Sequence, residues 1–224
     1  MDYLEIHIII FHNYFCILLC LEYIVQGRIM MKKIGIFTFH RAENYGAVLQ
    51  ACALNDYIKD SVIVDYRNKI LEKPYKLVNF SSIMSFLKSI LFLRKNYKRK
   101  KSFESFIKNN LSLIKYDDIG QLDVLVTGSD QVWSKKILGE LSEVYTLNVG
   151  KPEVRRISYA ASVGDSKSIC DNSNDYEDKL QCLDRISVRE NDAKIELSKI
   201  INKDIEVVLD PTLIEPKIWN NKLK

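Results

Sequence analysis

Five short strings in this chain combine residue types that could do chemistry. The first, FHRAENYGAVLQ, holds His40, Asn44, Tyr45, Gly46 and Gln50. Gly46 permits a tight turn, and a helix starting there would offer free N–H groups to an anion, with His40, Asn44 and Gln50 supplying donors beside it. The second, GSDQVW, sets Gly128 and Ser129 against a carboxylate (Asp130), an amide (Gln131) and a large ring (Trp133). Small residues allow close approach, Asp130 can accept a hydroxyl or act as acid or base, and Trp133 can stack on a sugar ring. YAASVG contributes Ser162, SVRE contributes Arg189, and VLDPTLI closes the set. Each residue also has a purely structural reading. His40 can be a hydrogen-bonded loop histidine, Asp130 a helix cap, Trp133 a core residue, and Arg189 the partner of Glu190 or Asp210 in an ion pair.

The elements that must position these groups follow from hydrophobic patterning. Apolar runs at 34–39, 62–65, 123–127, 157–161, 186–188 and 205–209 read as strands. Helix-like stretches separate most of them; the small and aliphatic residues at 47–54 suit a helix lying close on a sheet. Alternation of this kind predicts a Rossmann-like α/β domain, a parallel sheet with helices on both faces. In such a sheet ligands sit outside the carboxyl ends of the strands, which is where all five strings fall, so they predict one crevice. Between 79 and 110 the pattern is mostly helical, with Ile83, Phe86, Leu87, Ile90 and Leu91 at helical spacing before the basic run 94–101. That segment reads either as a helical insertion with a solvated charged turn or as a face for an anionic membrane surface.

Composition sets the bounds. The 224 residues are 47% hydrophobic and 28% charged with only 4 Pro and 8 Gly, the balance of a globular chain. The net charge of +4 owes much to the single run 94–101, which speaks against a nucleic-acid binder, where basic residues spread along a face. Five scattered cysteines without a CxxC pair read as reduced thiols of a cytoplasmic protein. Three dispersed histidines give no metal-ligand spacing, so no metal is predicted. Residues 4–25 are long enough to span a bilayer but include Glu5, His7, His12, Asn13 and Glu22. Residues 1–29 are therefore read as an extension upstream of a natural start at Met30 or Met31, ahead of a membrane anchor or an extra packed helix.

The order of the five strings resembles the N-terminal half of the polysaccharide pyruvyl transferase family, from Lys32 to about Trp219. Departures from the family pattern are Ser134 in place of Asn, Val163 in place of an aromatic, and a shortened link at Lys59–Ser61. The resemblance implies a two-domain, glycosyltransferase-B-like architecture, with 30–213 as the N-terminal domain, 214–224 opening the inter-domain linker and the C-terminal half absent. It implies transfer of pyruvate from phosphoenolpyruvate to a sugar or lipid-linked saccharide of a cell-surface polysaccharide, forming a pyruvyl ketal. No cofactor is implied beyond the donor substrate. The expected location is the cytoplasm, at the inner face of the membrane in the peripheral case. His40 and Asp130 become the acid–base candidates. Asn44, Tyr45, Gly46, Gln50, Gly128, Ser129, Gln131, Trp133 and Ser162 become substrate contacts, and Arg189 an anion contact. Most donor-holding basic groups are expected in the C-terminal half, supplied by a partner polypeptide or by the remainder of an interrupted gene. The alternatives are a sugar- or phosphate-binding module without turnover, or an inactive remnant.

Overall fold

Strands covered on both faces carry uninterrupted apolar residues, and here they form the middle of a parallel sheet. The computed structural model describes residues 33–75, 84 and 90–214. Its strands are β1 (Ile34–Phe37), β2 (Ser61–Asp65), β3 (Leu113–Lys115), β4 (Val124–Gly128), β5 (Arg155–Tyr159), β6 (Ile186–Val188) and β7 (Ile205–Val207). Every residue of β1 and β4 is buried. The helices are α1 (Tyr45–Tyr57), α2 (Lys69–Glu72), α3 (Leu93–Asn110), α4 (Lys135–Leu138), α5 (Lys167–Asp171), α6 (Ser173–Leu180) and α7 (Asn191–Leu197).

Five strands pair in parallel in the order β3-β2-β1-β4-β5, and β6 pairs with β7. Single bridges, Ile157 to Arg185 and Ala161 to Val188, set that pair beside β5. Two serines staple the seam: Ser158 Oγ donates to the Ser187 carbonyl at 3.0 Å, and Ser187 Oγ to the Ser158 carbonyl at 2.8 Å. The chain leaves β1 toward β2 and β3 on one side and toward β4 and its successors on the other, so the switch point lies between β1 and β4.

Side chains alternate across the sheet and build a core on each face. Ile34, Ile36, Ile63, Val124 and Val126 pack beneath Val48, Ala51, Cys52 and Leu54 of α1 and Phe103 and Ile107 of α3. Phe37, Leu125, Trp133, Tyr145, Tyr176 and Leu180 fill the other side. Burying each large apolar side chain contributes about 1.5–3 kcal/mol. The three alanines of α1 allow it to sit close to the strands.

The Rossmann-like α/β expectation holds, with shifted boundaries and one extra strand, β3. That strand is three residues long and largely exposed, so it carries no apolar run to read. Residues 1–29, most of the 79–89 stripe and the linker at 215–224 lie outside the described residues. Among the described residues, no helix is long and apolar enough to cross a membrane, and no group of three His, Cys, Asp or Glu could hold a metal ion.

Candidate functional site

A crevice of about 540 Å³ opens at the switch point, outside the carboxyl ends of β1 and β4. Asn44, Gly46, Ala47, Leu49 and Gln50 line it from the start of α1, Asp130 from the loop after β4, Arg189 from the end of β6, and Asp210 and Thr212 from beyond β7.

Asp210 organises one wall. Its Oδ1 accepts from the Thr212 N–H at 3.0 Å and the Thr212 hydroxyl at 2.6 Å, the cap of the turn Pro211–Leu213. Its Oδ2 accepts from Ser129 Oγ at 2.9 Å and Arg189 Nη1 at 3.2 Å. Arg189 Nη1 also donates to the Ser129 carbonyl at 2.9 Å, and its Nε to Glu190 Oε1 at 3.0 Å. Ser129 thus has three fixed contacts, counting its own N–H to the Tyr159 carbonyl. These hold it at φ +62°, a left-handed conformation that costs a non-glycine residue about 1–2 kcal/mol.

That turn presents Asp130. Its Oδ1 accepts from the Gln131 N–H at 2.7 Å, and its Oδ2 accepts no hydrogen bond among the described residues. Burial pushes the Asp130 carboxyl above its ordinary value; the Gln131 amide and Arg189 pull it down, and Asp210 pushes it up. The group therefore holds a proton more readily than a surface aspartate, as an acid catalyst needs. Across the crevice, Gln50 Nε2 donates to Thr38 Oγ1 and the Ala47 carbonyl, while its buried Oε1 has no partner among the described residues.

The crevice brings together Asn44, Gly46, Gln50, Asp130 and Arg189 of the residues expected from the sequence. The others are placed elsewhere, each for a physical reason. His40 is fully buried, with Nδ1 3.1 Å from the Thr38 carbonyl and Nε2 3.2 Å from Asp65 Oδ1, and does not line the crevice. Trp133 is also fully buried, donates through Nε1 to the Tyr145 carbonyl at 3.1 Å, and does not line the crevice. Tyr45 is exposed but turns away, its ring 5.0 Å from that of Phe103. A Cβ on Gly128 would fall 2.2 Å from the Tyr159 carbonyl, so this glycine serves the approach of β5 rather than of a ligand. Ser129 spends its hydroxyl on Asp210. Ser162 is buried, donating its N–H to the Asp130 carbonyl and accepting from the Gly164 N–H. The Gln131 side chain lies against Gly164. The N–H groups expected for an anion at α1 are also engaged: Asn44 Oδ1 accepts from Gly46 at 2.8 Å and Ala47 at 3.5 Å.

Asp210 and Thr212 were not among the expected contacts. The signal was present in the Asp-Pro-Thr that follows an apolar run, but Asp-Pro reads equally as a turn.

The family model described as polysaccharide pyruvyl transferase matches residues 44–224. The chain belongs to the polysaccharide pyruvyl transferase family. No curated protein and no solved structure matched the chain. Every crevice residue falls inside the span matched to the pyruvyl transferases, whereas His40 and Arg41 fall before it. Membership in this family implies a sugar acceptor.

Proposed function

We propose that this crevice serves transfer of pyruvate from phosphoenolpyruvate to two hydroxyls of a sugar destined for a cell-surface polysaccharide. The observation that carries the reading is the juxtaposition, at one sheet switch point, of Asp130, whose Oδ2 accepts no hydrogen bond among the described residues, with Arg189, Gln50 and Thr212. The methylene carbon of the donor takes a proton and a sugar hydroxyl attacks C2. Phosphate then leaves with its bridging oxygen, and a second hydroxyl closes the ketal. Of the two hydroxyl protons, one balances that delivered to carbon and the other leaves with phosphate. Asp130 is the acid–base group in this scheme, Arg189 the anion contact, and Asn44 and Gln50 the acceptor contacts. On this reading the reaction takes place in the cytoplasm.

Among the described residues Arg189 is the one cation lining the crevice, and its Nη1 and Nε are already engaged. A donor carrying both carboxylate and phosphate needs further cations, which must come from outside the described residues. The same shortage favours a second reading, a saccharide- or phosphate-binding module without turnover. Phosphate release from phosphoenolpyruvate by the full chain, with and without a saccharide acceptor, separates the two. Acceptor-dependent release supports the transferase. Acceptor binding at the crevice, seen as amide shifts at Gly46 and Thr212 without phosphate release, supports the module. Amide shifts confined to other parts of the chain would remove both.

A further inference from the structure

Helix α3 is unlike the rest of the surface. It carries seven basic side chains and one acidic, Glu104. Among the described residues, Arg99 alone of the six cations at 94–101 has an acidic partner, Glu43, at 3.0 Å. Large apolar side chains accompany this charge in the open: Leu91 is 77% exposed, Tyr97 57% and Phe92 48%. Ile90 just before α3 and Leu93 and Tyr97 on its first turns are all exposed, and of α3 only Phe103 and Ile107 are buried in the core. Beside them an apolar groove of about 620 Å³ runs between α1 and α3, floored by Val48, Leu49, Phe103 and Phe106 and rimmed by Lys95 and Lys98.

We infer that the amino-terminal half of α3 and this groove form a docking face for an anionic lipid bilayer. Apolar groups at the entry to α3 and basic groups on its first turns satisfy both layers of such a surface. Leu91, Phe92 and Tyr97 enter the acyl boundary while Arg94, Lys95 and Lys98 meet headgroup phosphates. Charge selects this occupant over others. A second copy would set two strongly basic helices against each other. A nucleic-acid backbone would satisfy the cations but leave the aliphatic side chains and groove uncovered. Leu49 lines both the groove and the crevice, so docking here holds the crevice beside the lipid surface.

The test is co-sedimentation of the full chain with vesicles of phosphatidylcholine alone and of phosphatidylcholine with phosphatidylglycerol. The face predicts preferential partitioning onto the anionic vesicles. Lys95→Glu with Lys98→Glu lowers that preference about tenfold or more, and Leu91→Ser with Phe92→Ser lowers partitioning with the charge intact. Circular dichroism confirms that each variant remains folded, and Lys95→Gln with Lys98→Gln replaces the charge reversal if it does not. Equal partitioning onto the two vesicle types overturns the assignment. So does a preference that survives loss of both lysines, which would locate the contact elsewhere in the chain. Self-association in sedimentation velocity that the same variants abolish would make the face an interface between copies instead. None of these readouts depends on pyruvyl transfer.

Discussion

Two carboxylate clusters sit at the same edge of the sheet and do opposite things. At the end of β2, Asp65 receives His40 Nε2 at 3.2 Å and a bidentate Arg41 at 2.7 and 2.6 Å. His40 is sealed from solvent, and the cluster ties the loop after β1 to β2. Beyond β7, Asp210 is saturated in the same way by Ser129, Thr212 and Arg189, but beside it, on the loop after β4, stands Asp130 with one oxygen unspent. A saturated carboxylate fixes a loop. A half-used one, raised in proton affinity by burial and facing a crevice, is available for chemistry.

The comparison breaks most decisively at Asp130. Asp130→Asn keeps shape and the contact to the Gln131 N–H but loses the proton, and it should reduce phosphoenolpyruvate-dependent phosphate release by about a hundredfold to ten-thousandfold. Unchanged turnover with the fold intact would end the acid–base assignment. Next in size is Asp65→Ala, which strips the partner from Arg41 and His40. It should cost about 3 kcal/mol in urea unfolding, the low end for removing one partner of a buried pair, with turnover per folded molecule unaffected. A fall in turnover without loss of stability would move the site toward His40.

Acid titration sharpens the contrast because the two groups shift in opposite directions. The His40 hydrogen bond, with Arg41 assisting against the cost of burial, holds the Asp65 carboxyl well below its ordinary 3.8. Its stabilisation is present above pH 3.8 and is lost as pH falls through the lower folded value. Asp130 is raised, so the folded state keeps its proton after the unfolded chain has released it, and stability falls as pH climbs from 3.8 through the folded value. Asp130→Asn should therefore gain stability at pH 7 relative to the parent and lose that advantage at acid pH, while Asp65→Asn should flatten the acid limb of the unfolding profile. The smallest effect is expected at Ser129→Ala, about 1.5 kcal/mol, the low end for one hydrogen bond to a charged group, measured by thermal unfolding.

The strand ends were legible because a doubly covered parallel strand must be apolar throughout, and the runs at β1 and β4 have no other use. What the pattern could not resolve was the direction of a side chain one residue further on. His40 and Asn44 share a loop, yet one is enclosed beneath it and the other caps α1 at the crevice wall. Trp133 follows Asp130 by three positions and turns back into the core, where its Nε1 finds the Tyr145 carbonyl. The same atoms suit a stacking platform and a core anchor, so residue type alone does not choose between them. From the sequence Asp210 is read only as an ion-pair partner of Arg189, a pair the structure shows at 3.2 Å; its cap on the turn and its place in the crevice wall are not read there.

The crevice straddles the serine seam. Asn44, Gln50 and Asp130 belong to the five-stranded sheet, whereas Arg189 and Asp210 hang from the two-stranded one. The two sheets meet through four backbone hydrogen bonds between residues 156–161 and 184–189 and a pair of reciprocal hydroxyls, and Ser129 is the rivet that crosses from one to the other inside the site. Where that short ladder ends, the spacing between the acid and the cation is set by the oxygens of Ser129 and Asp210. In this architecture alignment is a property of the joint, and Ser129 can retune the site through its bonds to Asp210 and Arg189.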